Sequence, residues 1–161
     1  MNKDTKPFLN DGLNVYPEAR ATLTFFEQEV GKLLSTAVAR REGWEPLKNH
    51  KVNSPKVDGT SGQGGYWVAM FAEGMSASNE MVKIDFGIWW QAIEGFDQPI
   101  VYASFYEIPE RLIKFKWNHD KQDIRCFERW NRSFLYLPVT DSDDIGLLLN
   151  MVLNELLKLL L

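Results

Sequence analysis

The stretch that most constrains this chain is Met81-Val82-Lys83-Ile84-Asp85-Phe86-Gly87-Ile88-Trp89-Trp90, because its apolar residues recur at every second position. Side chains of an extended strand point alternately to opposite faces. Val82, Ile84, Phe86, Ile88 and Trp90 therefore share one face, and Lys83, Asp85 and Gly87 share the other. The segment reads as the half-buried central strand of a sheet whose other strands come from residues 65–139.

Further strand signals flank it. Tyr66 to Phe71 precedes it, and Ile100 to Ile108 alternates Ile100, Tyr102, Ser104 and Tyr106 against Val101, Ala103, Phe105 and Glu107. Leu112 to Trp117 places Ile113, Phe115 and Trp117 opposite Lys114 and Lys116, and Ile124 to Phe127 and Phe134 to Val139 complete the set. Pro138 puts the end of that last strand at an edge. The turns between strands, at Gly74 to Asn79, Glu94 to Pro99 and Asn118 to Asp123, are short, which makes neighbours antiparallel.

A helix is predicted on each side of the sheet in sequence. Pro17 suits a first helical position, Glu18 sits beside it, and apolar residues recur at helical spacing through Ala19, Leu23, Phe26, Val30, Leu33 and Ala37. Arg40 and Arg41 favour a helix C-terminus and Gly43 stops it, so the helix is placed at 17–42. Asp141-Ser142-Asp143-Asp144 is a second helix start, and the helix at 143–161 is apolar nearly all round. Such a helix must be covered on more than one side. The sheet and the first helix can do this, and any stripe left over would serve a homodimer.

The fold class that follows is α+β: N-terminal helix, antiparallel sheet of five or six strands, C-terminal apolar helix, both helices on one face. With 161 residues the chain is a single domain, long enough to bury roughly 70% of its unfolded surface without disulfide or metal. Residues 1–16 read as an extended arm, residues 44–57 show short strand character at best, and residues 58–65 form a glycine-rich loop.

Several chemistries lack their residues. The four glycines of Asp58 to Gly65 are followed by a strand, without the Lys-Ser or Lys-Thr and helix that a phosphate loop requires. His50 and His119 are far apart and Cys126 is the only cysteine, so neither a metal centre, a cofactor nor a disulfide framework is expected. Cys126 reads as a small core residue of a protein in the reducing cytoplasm. No signal peptide is visible, and no apolar run is long enough to span a membrane. The only Asp/Glu-x-Lys triplet, Asp4-Thr5-Lys6, lies in the arm, away from the acid Asp85 that a metal-dependent nuclease strand would need beside it.

Two features are left. Asp85 and Glu107 can face each other on neighbouring strands as an acid and base, although charges on a wet sheet face need no such role. The stronger feature is charge asymmetry. Residues 111–132 hold seven cations against three acids, a net of +4, whereas the rest holds eleven cations and nineteen acids, a net of −8. Rings are interleaved with those cations. Lys114, Lys116, Trp117, Lys121, Arg125, Arg129, Trp130 and Arg132 are thus the candidate binding residues of a basic-aromatic hairpin. The expectation is a non-enzymatic module that binds a protein with an acidic patch through this hairpin and the open sheet face. A nucleic-acid accessory using the same hairpin comes second, and a carboxylate-dependent enzyme third.

Overall fold

A computed structural model describes residues 13–47, 51–53, 67–89, 98–106, 114–117, 123–140 and 143–161. Helix α1 (Leu13–Ala39) leads into strands β1 (Trp44–Pro46), β2 (Lys51–Asn53), β3 (Trp67–Met75), β4 (Met81–Trp89) and β5 (Ile100–Tyr106). Strands β6 (Arg125–Arg129) and β7 (Arg132–Pro138) follow, then helix α2 (Ile145–Lys158). The strands form one antiparallel sheet in the order β1-β3-β4-β5-β7-β6, with β2 also on β3. The architecture is α+β as expected, with two short strands added on the β3 edge.

Period-two alternation holds across the sheet. Val82, Ile84, Phe86 and Ile88 of β4 join Val68 and Met70 of β3, Val101 and Phe105 of β5, and Leu135 and Leu137 of β7 in one buried layer. Both helices cover this layer: Val30, Leu34, Ala37 and Val38 from α1, and Leu149, Val152, Leu153 and Leu156 from α2. Each large side chain removed from water here stabilises the fold by roughly 1.5–3 kcal/mol. β4 is the central strand, as its pattern implied.

The helices differ from expectation in detail. α1 runs from Leu13, so residues 13–16 are helical rather than extended and Pro17 lies within the first turns. At the fifth position a missing N–H removes a single bond of the first turns, which a helix end tolerates. The buried stripe passes through Leu34, not Leu33, and Ala19 and Leu23 are exposed, because only the second half of α1 reaches the sheet. Arg41 ties the two helices together: it donates to the Ala37 carbonyl oxygen, and to Asn150 Oδ1 at 3.2 Å and Asn154 Oδ1 at 2.7 Å on α2. At the start of α2, Asp144 accepts from the Leu147 N–H at 3.0 Å as its N-cap.

The strand predicted at 112–117 is corrected where it is described: residues 114–117 are irregular. Phe115 bonds to the Ser133 side chain, through its N–H at 3.1 Å and its carbonyl oxygen at 3.3 Å, instead of to a neighbouring backbone. Phe115 and Trp117 still pack on the core while Lys114 and Lys116 are exposed, so the alternation reported burial and not a ladder. β7 lies between β5 and β6, but β6 stops at the Arg125–Tyr136 pair. Past Tyr136, β7 has β5 alone as a partner, and Pro138 sits there.

Candidate functional site

The sheet face away from the helices is not the wet, charged surface expected around Lys83 and Asp85. Alternation places Trp67 and Phe71 of β3, Trp89 of β4, Tyr102 and Tyr106 of β5, and Phe134 of β7 on it. These rings surround a concavity of about 680 Å³, closed on one side by Trp130 and Arg132 and on the other by Lys51. Its centre is low because Ala69, Gly87 and Tyr102 stand opposite one another in register and the first two have little or no side chain. Gly87 is fixed by a close approach: a Cβ there would lie 2.1 Å from the Val68 carbonyl oxygen and 2.8 Å from Ala69 Cα.

Asp85 projects into this face and is buried. It accepts from the Tyr102 hydroxyl at 3.0 Å on Oδ1 and from Arg132 Nη2 at 3.0 Å on Oδ2. Burial pushes its carboxyl above the usual range, while Arg132 and the Tyr102 hydroxyl pull the other way. Burial, then the Asp85 charge, raises the Tyr102 phenol well above its ordinary value. Arg132 Nη1 also donates to the Phe105 carbonyl oxygen at 3.3 Å. With both oxygens engaged, Asp85 acts as the counter-ion that fixes Arg132. The catalytic pair imagined for it cannot be placed, since Glu107 lies outside the described residues.

The hairpin between β6 and β7 turns on Trp130 and Asn131, whose φ angles are 47° and 60°. Two positive φ values in a two-residue turn match the strand twist, and Asn-Gly is the usual solution. Here the first position holds a tryptophan, for which left-handed backbone is uncommon. Its ring folds over the sheet and stacks on Trp89, centroids 5.4 Å apart and planes at 25°. Arg129 lies over both rings, at 4.9 Å from Trp130 and 5.6 Å from Trp89. Arg132 lies over Phe134 at 4.8 Å and Tyr106 at 5.3 Å, and Lys51 over Phe71 at 4.5 Å.

Of the eight residues proposed from sequence, Trp130 and Arg132 line the cavity, and Arg129 lies beside it over the Trp89 and Trp130 rings. Lys114 points elsewhere and pairs with Glu128 at 3.6 Å. Lys116 is exposed, Trp117 packs on the core with its indole N–H on the Ile124 carbonyl oxygen at 3.1 Å, and Arg125 is exposed on the β6 edge. Lys121 lies outside the described residues. Sequence reasoning missed Lys51, Trp67, Phe71, Trp89, Tyr102 and Tyr106, although the alternation of β3, β4 and β5 already put the last five on the Asp85 face. Cys126 is half-buried against the core and burial raises its thiol, which suits a packing role.

Among the described residues no group of three or more His, Cys, Asp or Glu side chains stands close enough to hold a metal ion, and no helix is long and apolar enough to cross a membrane. Comparison of the chain with protein-family models, with curated proteins and with solved structures finds no match.

Proposed function

We propose that this chain is a non-enzymatic interaction module that binds another protein, one presenting an acidic patch, through the tip of the β6–β7 hairpin and the open sheet face. The observation that carries the reading is Trp130. A non-glycine residue in left-handed backbone costs about 1–2 kcal/mol, and asparagine or glycine would serve the turn better. The side chain is nevertheless 52% exposed. A large ring held against backbone preference, half in solvent at the rim of a cavity, is suited to contact a partner.

A nucleic-acid reading draws on the same rings, since Trp130 with Arg129 above it makes a stacking platform. The protein reading is favoured because Glu128 answers Lys114, the chain carries a net charge of −4, and the cations at the cavity line one pocket instead of a track for a phosphate backbone. The cytoplasm is the compartment proposed for this binding. Homodimerisation through α2 would use Leu147, which is 59% exposed, and light scattering would detect it.

The test is capture of partners on immobilised protein, wild type against Trp130→Asn and Lys116→Glu, with and without nuclease. One protein retained by the wild type and Lys116→Glu but lost from Trp130→Asn is the expected result. Equal retention by all three, or binding abolished by nuclease, overturns the proposal.

A further inference from the structure

We infer that the group entering the cavity is an aromatic side chain of the partner flanked by carboxylates, so that the docking element is a short acidic-aromatic peptide segment. This rests on the protein-binding reading above and names what that reading leaves open.

The shape admits a ring. The volume of about 680 Å³ falls within the roughly 300–1,000 Å³ of ligand pockets. At Gly87 the approach of the β3 backbone leaves no room for a side chain, and Ala69 opposite it has only a methyl group, so the floor stays low. Rings stand on both sides: Trp67 and Phe71 on β3, Trp89 and Phe134 toward the hairpin. An inserted ring would find edges and faces to pack on without rearranging the core.

The charge selects an anion. Lys51 and Arg132 line the cavity and Arg129 stands beside it over Trp89 and Trp130, and among the described residues Asp85 is the only acid in the lining. Of these cations only Arg132 takes part in the ion pairs formed among the described residues. The set therefore carries a net of +2, suited to one or two carboxylates. A cationic side chain would be repelled, and the Phe71, Trp89, Tyr106, Trp130 and Phe134 rings already carry the protein's own cations. Arg132 has five N–H donors, of which one goes to Asp85 and one to Phe105, so others remain for an incoming carboxylate.

The probes are acetyl-Asp-Glu-Phe-Glu-Asp-amide, the same peptide with Ala in place of Phe, and the same peptide with Lys in place of every acid. Intrinsic tryptophan fluorescence reports binding through Trp89 and Trp130. The Phe peptide is expected to give a saturable change. The Ala peptide should bind at least about tenfold more weakly, in line with loss of one buried aromatic contact. The Lys peptide should give no saturable response. Lys51→Glu and Arg129→Glu should each abolish the response to the Phe peptide while leaving the thermal melt in place, and raising salt from roughly 50 to 500 mM should weaken it.

Equal binding of the Phe and Ala peptides, binding of the Lys peptide, or tighter binding of oligothymidine than of any peptide overturns the inference. If the Phe peptide fails while Trp130-dependent capture of a protein persists, this inference alone is lost. If both fail, the protein-binding reading falls with it.

Discussion

Separating Asp85 from Arg132 is the sharpest physical test of the site. Their side chains are 9% and 15% exposed and meet at 3.0 Å, so water screens the pair poorly. Asp85→Asn keeps an acceptor for the Tyr102 hydroxyl but leaves the guanidinium with no counter-charge. Removing one partner of a buried pair costs about 3–5 kcal/mol, and the lower end applies because Arg132 borders an open cavity. With an m-value near 2 kcal/mol/M, the urea midpoint should fall by about 1.5 M. Arg132→Met alone should cost a similar amount, and the double variant Asp85→Asn/Arg132→Met, which removes both charges, should be less destabilised than the two singles added together by at least about 3 kcal/mol. The pH dependence has a defined sign. The folded-state carboxyl lies above its unfolded value of 3.8, so the folded form holds the proton more tightly. This group's contribution is therefore fully present below that unfolded value and is lost as pH rises through the folded one. In Asp85→Asn the component should vanish from denaturation curves run at a series of pH values above 3.8. A single-variant loss under about 0.5 kcal/mol, or a double variant as unstable as the two singles added together, would refute the reasoning.

Three further outcomes follow from the same geometry. Trp130→Asn should leave stability within about 1 kcal/mol of the wild type in urea denaturation, since relief of left-handed strain offsets loss of the Trp89 stack. Gly87→Ala should lose more than about 3 kcal/mol or fail to fold, because its Cβ would meet Val68 and Ala69 backbone atoms that cannot move without breaking the β3–β4 ladder; circular dichroism melts decide this. Asp144→Ala should lower stability by about 1 kcal/mol in urea denaturation through loss of the bond to the Leu147 N–H.

The sequence made the layer under the helices legible because there one face of each strand is apolar and the pattern of β4 is unbroken. The opposite face was harder. Its rings are apolar too, so Trp67, Phe71, Tyr102 and Tyr106 blurred the alternation instead of marking a second surface. Asp85 looked like a solvated charge because its partners stand 17 and 47 positions away, at Tyr102 and Arg132. Their approach depends on the strand order β4-β5-β7, which no local pattern encodes. Charge counting found Arg129, Trp130 and Arg132 because it is blind to register. For the same reason it also collected Lys114, Lys116 and Trp117, which do not line the cavity.

The order in which the layers are synthesised sets when the sheet can be finished. β3, β4 and β5 are near neighbours along the chain and can pair as they emerge, but Leu149, Val152, Leu153 and Leu156, which seal their apolar side, are made after β7. Until α2 leaves the ribosome, Phe105 of β5 and Leu135 of β7 lack the helix that packs on them, because α1 packs on β1, β3 and β4. During that interval the nascent sheet is open to aggregation or to a chaperone, and the Arg41 bonds to Asn150 and Asn154 close the structure only once both helices are present.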